Sequence, residues 1–280
     1  MGNTAHIDPP FGHYALPVKQ ERIRAAANAQ GPSRLGKWMI SLARKRAIKG
    51  RREPFDIEIA PGLKARLYPS TNRCEKRALC GVQIWDAAER DALRGAVIAP
   101  TTEPFVFLDV GANVGLYSLF THLYGKQANK QLRLIAVEPS AEMGARLSVN
   151  AQASAADIEL IRCAVAATPG QVFLSDGGGN RGEGKLAESG EAVNAMTLLQ
   201  LCESQGVTRI DALKLDIEGQ DLAVLTQFFE QAEAGLHPKM MVLELDADSA
   251  GPLIELAQAN NYLISKRTRM NVVATKRDNT

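Results

Sequence analysis

The chain has 280 residues, enough for one full α/β domain with an extension. Hydrophobic residues make up 45% and charged residues 23%, an ordinary globular composition, and no apolar run reaches membrane-spanning length. The charge is uneven: residues 1–52 carry eleven Lys and Arg against two acids, and the remainder carries 22 basic and 29 acidic residues, so a basic appendage precedes a mildly acidic body.

The N-terminus has no apolar signal core, and His6 stands where myristoylation wants Ser or Thr. Cys74, Cys80, Cys163 and Cys202 show no C-x-x-C spacing. Reduced thiols in a cytoplasmic protein with no metal site are expected. Residues 1–17 hold three prolines and two glycines and should be loose. Within them Asp8-Pro9-Pro10-Phe11 is similar to the D-P-P-[FY] motif of amino-methyltransferases that act on DNA bases. That motif follows an apolar strand, and only MGNTAHI precedes it here, so a chance match is expected.

Residues 18–30 and 34–49 read as helices. In the second, Leu35, Trp38, Met39 and Leu42 form an apolar stripe beside Arg34, Lys37, Arg44, Lys45 and Arg46. The pattern fits a basic helix lying on an anionic membrane surface, and it fits a helix docking on its own domain. Nucleic-acid binding is not expected. The basic charge lies outside every motif described below, so a chain starting at Arg51 is expected to fold and bind its ligand.

Phe55–Ile59 and Leu63–Tyr68 alternate around Pro61-Gly62 as a hairpin, and 73–80 and 86–98 read as short helices. Phe105–Val110 then reads as a buried strand that stops at Gly111, with Leu116, Leu119 and Phe120 at helical spacing beyond it. A strand, a Gly-containing turn and a helix make a nucleotide-cradling unit. Gly111 and Gly115 leave no Cβ where a ligand would approach, and Asp109 places an anion beside it. The dinucleotide pattern G-x-G-x-x-G fails, because Asn113 and Leu116 stand at its second and third glycines. An acid ahead of G-x-x-x-G suits a cationic ligand with an amino-acid end better than a pyrophosphate. The run DVGANVGLYS, residues 109–118, closely resembles the first motif of the FkbM family of class I S-adenosylmethionine-dependent methyltransferases. The resemblance implies that Asp109, Gly111, Ala112, Asn113 and Gly115 bind the cofactor. It also implies that the preceding hairpin and helices help to cover it.

Leu132–Val137 is the second strand and Ala141–Ala153 its helix; Ile158–Cys163 is the third strand. Val165 and Val172–Leu174 around Thr168-Pro169-Gly170 suggest a second hairpin. Residues 176–190 hold six glycines and read as a mobile loop, either a tolerated insertion or a lid over the acceptor. Thr197–Glu203 is a helix, Ile210–Leu215 the fourth strand, and Leu222 to Phe229 a helix with an apolar face. Met240–Leu245, a helix over 251–259, and strands at Tyr262–Ser265 and Asn271–Thr275 complete the chain. Alternating strands and helices predict an α/β fold, a doubly wound parallel sheet. The resemblance, over about residues 65–275, adds a closing hairpin of the class I type. It divides the chain into an extension, 1–52, and a methyltransferase domain, 53–280, whose core is 104–275.

Glu138 ends the second strand 23 residues after Gly115, where a carboxylate can accept from both hydroxyls of a ribose. Pro139 follows it. No acid stands after the third strand, so the main chain at Ala164 is the candidate for an adenine contact. The run ALKLDIEGQDLAVL, residues 212–225, resembles the K-x-D-x-E-G motif of the same family. Lys214, Asp216 and Glu218 share one face of an extended segment, and Glu244 ends the neighbouring strand. Such charges at strand ends are costly unless solvated or used. The resemblance implies O-methylation of a hydroxyl on a small molecule or glycan, with Asp216, Glu218 and Glu244 as candidates to take the proton and Lys214 to orient the acceptor. The rival readings are a nucleotide-dependent oxidoreductase and a non-catalytic cofactor-binding module.

Overall fold

The computed structural model describes residues 9–101, 103–174, 186–187, 190–217, 219–245 and 250–277. Helix α1 (Val18–Ala26), a 3-10 turn and helix α2 (Arg34–Ala47) come first. The hairpin β1 (Phe55–Ala60) and β2 (Leu63–Leu67) follows, then helices α3 (Arg73–Leu79) and α4 (Ala87–Ile98). Strands and helices then alternate through β3 (Phe105–Val110), α5 (Leu116–Gln127), β4 (Leu132–Val137), α6 (Ala141–Ala153) and β5 (Glu159–Ile161). Four short strands come next: β6 (Ala164–Val165), β7 (Gly170–Leu174), β8 (Leu186–Ala187) and β9 (Glu191–Met196). The chain closes with α7 (Leu198–Ser204), β10 (Ala212–Leu215), α8 (Asp221–Gln231), β11 (Met240–Glu244), α9 (Ala250–Ala259), β12 (Tyr262–Arg267) and β13 (Asn271–Lys276).

Seven strands make one sheet in the order β12-β13-β11-β10-β3-β4-β5. The five from β11 to β5 are parallel, and β13 joins β11 antiparallel. This is the expected doubly wound α/β sheet with a closing hairpin. From β3 the order runs outward through β4 and β5, then returns through β10 and β11 on the other side. Ligands bind at such a switch point, beyond the carboxyl ends of the strands.

The pleat sorts the residues into two cores. Phe105, Phe107, Ala212, Met240 and Val242 point to one face, where side chains of α4, α5 and α6 and the first hairpin cover them. Leu108, Val110, Leu213, Leu215 and Leu243 point to the other, under α7, α8 and α9. Asp109 and Lys214 are adjacent in register and belong by parity to the first face. The chemistry therefore gathers on the face that carries the N-terminal cover.

The reading of the stretch after β5 needs correction. The hairpin proposed between Val165 and Val172–Leu174 does not form: β9, unread in the sequence, pairs with both β6 and β7 and lies between them. Apart from the two-residue strand β8 and Gly190, the glycine-rich segment lies outside the described residues.

Residues 9–17 are tied down rather than loose. The Asp56 carboxylate accepts from the Gly12 and Tyr14 N–H groups at 2.8 and 3.1 Å, and from Arg66 Nε at 2.7 Å. Arg66 also donates to the Pro9 and Pro10 carbonyls. Those prolines thus serve the hairpin, and Asp8 lies outside the described residues. Arg24 is 3% exposed and donates to the Leu79 and Glu58 carbonyls. Leu16, Ala27, Ile40 and Ala47 belong to the core of the first face. A chain starting at Arg51 would lose these four side chains from the core, which weighs against its folding as stably as the full chain. Among the described residues, no helix is long and apolar enough to cross a membrane.

Candidate functional site

The turn after β3 is built by internal hydrogen bonds. The Val137 carbonyl accepts from the Gly111 and Ala112 N–H groups at 2.9 and 3.0 Å, and the Ala112 carbonyl accepts from Gly115 N–H at 2.8 Å. Gly111 and Gly115 take left-handed φ values of 73° and 80°. A Cβ on Gly111 would lie 1.9 Å from the Asp216 carbonyl oxygen, and one on Gly115 would lie 2.7 Å from Leu147. Both glycines therefore serve close approaches within the protein, a need the sequence reading assigned to a ligand. Asn113 also has positive φ, and its side chain accepts from Asn72 Nδ2 at 2.7 Å. Asn72 caps α3, so it joins the cover to the turn.

Asp109 is fully buried. Its Oδ2 accepts from the Ser118 N–H and hydroxyl at 3.0 and 2.6 Å, which satisfies the start of α5. Its Oδ1 is buried with no partner. Burial pushes its pKa up, against the pull of Lys214 and the Ser118 bonds. Glu138 is 7% exposed; one oxygen accepts from Asn113 N–H at 2.8 Å and the other from Ser140 N–H at 2.9 Å. Burial raises its pKa too, opposed by those two N–H groups. Each oxygen keeps a lone pair for a further donor. Pro139 follows at the entry to α6, where Ser140 caps the helix.

Across the switch point, Lys214 Nζ donates to the Gly111 carbonyl at 2.8 Å and pairs with Asp216 Oδ2 at 2.9 Å. Burial disfavours its charge, but Asp216 and Asp109 together outweigh that and hold its pKa above the usual value. Burial likewise works against the Asp216 carboxylate. The Lys214 ammonium and a hydrogen bond from Glu244 prevail, and its pKa falls below the usual value. The Asp216 side chain is 36% exposed, so this carboxylate is both charged and reachable. Parallel register puts Leu215 beside Leu243, and hence Asp216 beside Glu244. Glu218 lies outside the described residues. Ala164 lies in β6 of the small sheet, paired with Ala195.

The cover adds residues that the sequence reading missed. Asp86 precedes α4 in a left-handed conformation, φ 42°, and makes no side-chain cap bond to its helix. Instead its Oδ2 accepts from the Tyr117 hydroxyl at 3.1 Å. Lys214 Nζ lies 5.8 Å from the centre of the Tyr117 ring. Burial raises the Asp86 pKa, and Glu89 adds to the shift by repulsion. Glu89 in turn accepts from the Thr268 hydroxyl and Asn271 Nδ2 at 2.7 and 3.1 Å. Asn271 is the register partner of Glu244. The Cys74 thiol is pushed up to about 12 by burial first and Asp216 second, so it stays protonated.

Asp221, at the start of α8, is 3% exposed with Oδ1 unpartnered. Burial and then Asp216 push its pKa from 3.8 up to about 6. A carboxyl that binds its proton more tightly when folded stabilises at low pH, and that contribution is lost as pH rises through the folded pKa. Asp221→Asn is therefore expected to gain stability relative to the parent between about pH 4 and pH 7. Urea midpoints of the two proteins across that range are the check, and a difference that does not vary with pH would overturn the expectation.

Comparison with known proteins accords with this geometry. The family model of the FkbM methyltransferase domain matches residues 109–264. A SAM-dependent methyltransferase from Agrobacterium tumefaciens is 14% identical, with a TM-score of 0.48, over 81% of this chain and 70% of its own. TrmK of M. capricolum, solved with S-adenosylhomocysteine, is 13% identical, with a TM-score of 0.39, over 66% of this chain and 67% of its own. No curated protein matches. The matched segment runs from Asp109 through Lys214, Asp216 and Glu244 and covers more than half of the sequence, so the chain belongs to the FkbM methyltransferase family.

Proposed function

We propose that the chain uses S-adenosylmethionine to methylate a hydroxyl oxygen of a small molecule or glycan. The observation that carries the cofactor reading is the state of the turn's donors. Gly111, Ala112, Asn113 and Gly115 all spend their N–H groups inside the protein. A pyrophosphate needs such donors. What the site offers instead is acceptors, the spare lone pairs of Glu138, beside the buried carboxylate of Asp109. Ribose hydroxyls, an ammonium and a sulfonium are all donors or cations, so the residues present fit S-adenosylmethionine and disfavour a dinucleotide oxidoreductase.

S-adenosylmethionine, when bound, supplies a methyl group already activated by a sulfonium. Asp216 then accepts the acceptor's hydroxyl proton, late in the transfer, as a general base. Lys214 acts by position: it ties the end of β10 to the turn after β3 and keeps Asp216 ionised. Glu244 hydrogen-bonds the Asp216 carboxylate and helps to keep it ionised, and Glu218 stays a candidate from the motif. Four free cysteines, three of them buried, suit a reducing compartment, and we propose the cytoplasm.

Calorimetric titration tests the reading. S-adenosylmethionine and S-adenosylhomocysteine should bind and NAD should not; tight NAD binding with no response to the others overturns it. Glu138→Ala should weaken the cofactor by about 1–3 kcal/mol, roughly 5- to 150-fold. Release of S-adenosylhomocysteine against a panel of hydroxylated compounds identifies the acceptor, and binding without turnover across the panel would favour the binding-module alternative.

A further inference from the structure

Helix α2 has two apolar faces, and it packs with the one the sequence made inconspicuous. Gly36, Ile40 and Ala47 are its buried residues. They recur at i, i+4 and i+11, one side of a helix. Gly81 receives this side: a Cβ there would lie 3.0 Å from Ile40 Cγ2. The large residues follow a different stripe, Leu35, Trp38, Met39 and Leu42, at i, i+3, i+4 and i+7. Leu35 is 65% exposed, Trp38 61% and Met39 38%. Docking on the protein's own domain therefore does not account for the stripe, because that docking uses a different side.

The charge around the stripe selects its occupant. Arg34, Lys37, Lys45 and Arg46 are exposed on the same helix, and the helix contains no acid. An apolar stripe that includes Trp38, with cations bordering it on the side away from the domain, matches the boundary between acyl chains and anionic headgroups. Nucleic acid would satisfy the cations, yet it gives Leu35 and Met39 nothing to bury against. We propose that α2 is a docking surface for an anionic lipid bilayer, with Leu35, Trp38 and Met39 inserted and the four cations on headgroup phosphates. The arrangement holds the methyltransferase body at a membrane surface, where an amphiphilic acceptor would be concentrated.

The test uses the full chain with vesicles of phosphatidylcholine alone and of phosphatidylcholine mixed with an equal part of phosphatidylserine. Sedimentation with the mixed vesicles only is expected, weakening as salt screens the cations. Brominated lipid should quench Trp38; Trp85, the other tryptophan, is 5% exposed and out of reach. Leu35→Ser/Trp38→Ser/Met39→Ser should lose at least tenfold in vesicle affinity with cofactor binding intact. Lys45→Glu/Arg46→Glu should do the same while keeping the apolar stripe. Failure of the parent to bind mixed vesicles overturns the proposal, as does undiminished binding by the triple variant. Self-association abolished by the triple variant, without vesicle binding, would instead assign the stripe to a second copy. Nucleic-acid binding that survives the triple variant, again without vesicle binding, would assign the cations to that partner.

Discussion

Replacing Asp216 by Asn is expected to slow single-turnover methyl transfer by about 10²–10⁴-fold and to leave cofactor affinity unchanged. The substitution keeps the shape of the side chain. Its amide oxygen can still accept from Lys214 Nζ, now 2.9 Å from the carboxylate, and its amide nitrogen can donate to Glu244. What disappears is the charge that takes up the acceptor's proton. Because Lys214 holds the Asp216 pKa below the usual value, the parent's rate should persist into acid farther than an ordinary carboxylate base allows. Glu244→Gln and Glu218→Gln belong in the same series. Full turnover in the Asp216 variant would falsify the assignment and move the base to one of those two. A chelator added in parallel should change nothing; a loss of rate would mean that the acids hold a cation.

The second large effect concerns stability. Asp56→Ala should destabilise the protein by about 3–5 kcal/mol, the usual result of stripping the partner from a buried charge. The pair is enclosed, with side-chain exposures of 5% for Arg66 and 0% for Asp56. The same carboxylate holds the Gly12 and Tyr14 N–H groups, so the N-terminal segment should detach with it. Removing residues 1–50 goes further, since it also strips Leu16, Ala27, Ile40 and Ala47 from the core. The denaturant midpoint of the point variant, and limited proteolysis near residue 12, are the measurements. A midpoint equal to the parent's would show that the segment is an independent appendage after all.

These two outcomes mark where the sequence is readable. The alternation of β3 to β5 and β10 to β13 with their helices was legible because hydrophobic period and glycine-bearing turns report local structure directly. The motif acids were legible too, and the structure brings Asp109, Lys214, Asp216 and Glu244 to one face of the sheet. The strand β9 was hidden because its pairing with β6 and β7 is tertiary and its sequence, EAVNAM, is weakly apolar. Asp86 read only as the start of a helix, since nothing in a sequence displays a left-handed φ. The docking face of α2 was hidden for a related reason. Periodicity finds the larger stripe, whereas close packing favoured Gly36, Ile40 and Ala47, which let the helix approach its neighbour.

Gly111 carries a consequence for the descent of such proteins. The Asp216 carbonyl occupies the space where a Cβ would sit, and Lys214 bonds the Gly111 carbonyl. A descendant that had abandoned methyl transfer would still need this glycine simply to fold. Asp216, whose side chain reaches solvent, would be held less tightly and would drift first. In judging whether a related chain is an active enzyme or an inherited shell, the glycines of the turn testify only to ancestry. The informative position is the one matching Asp216.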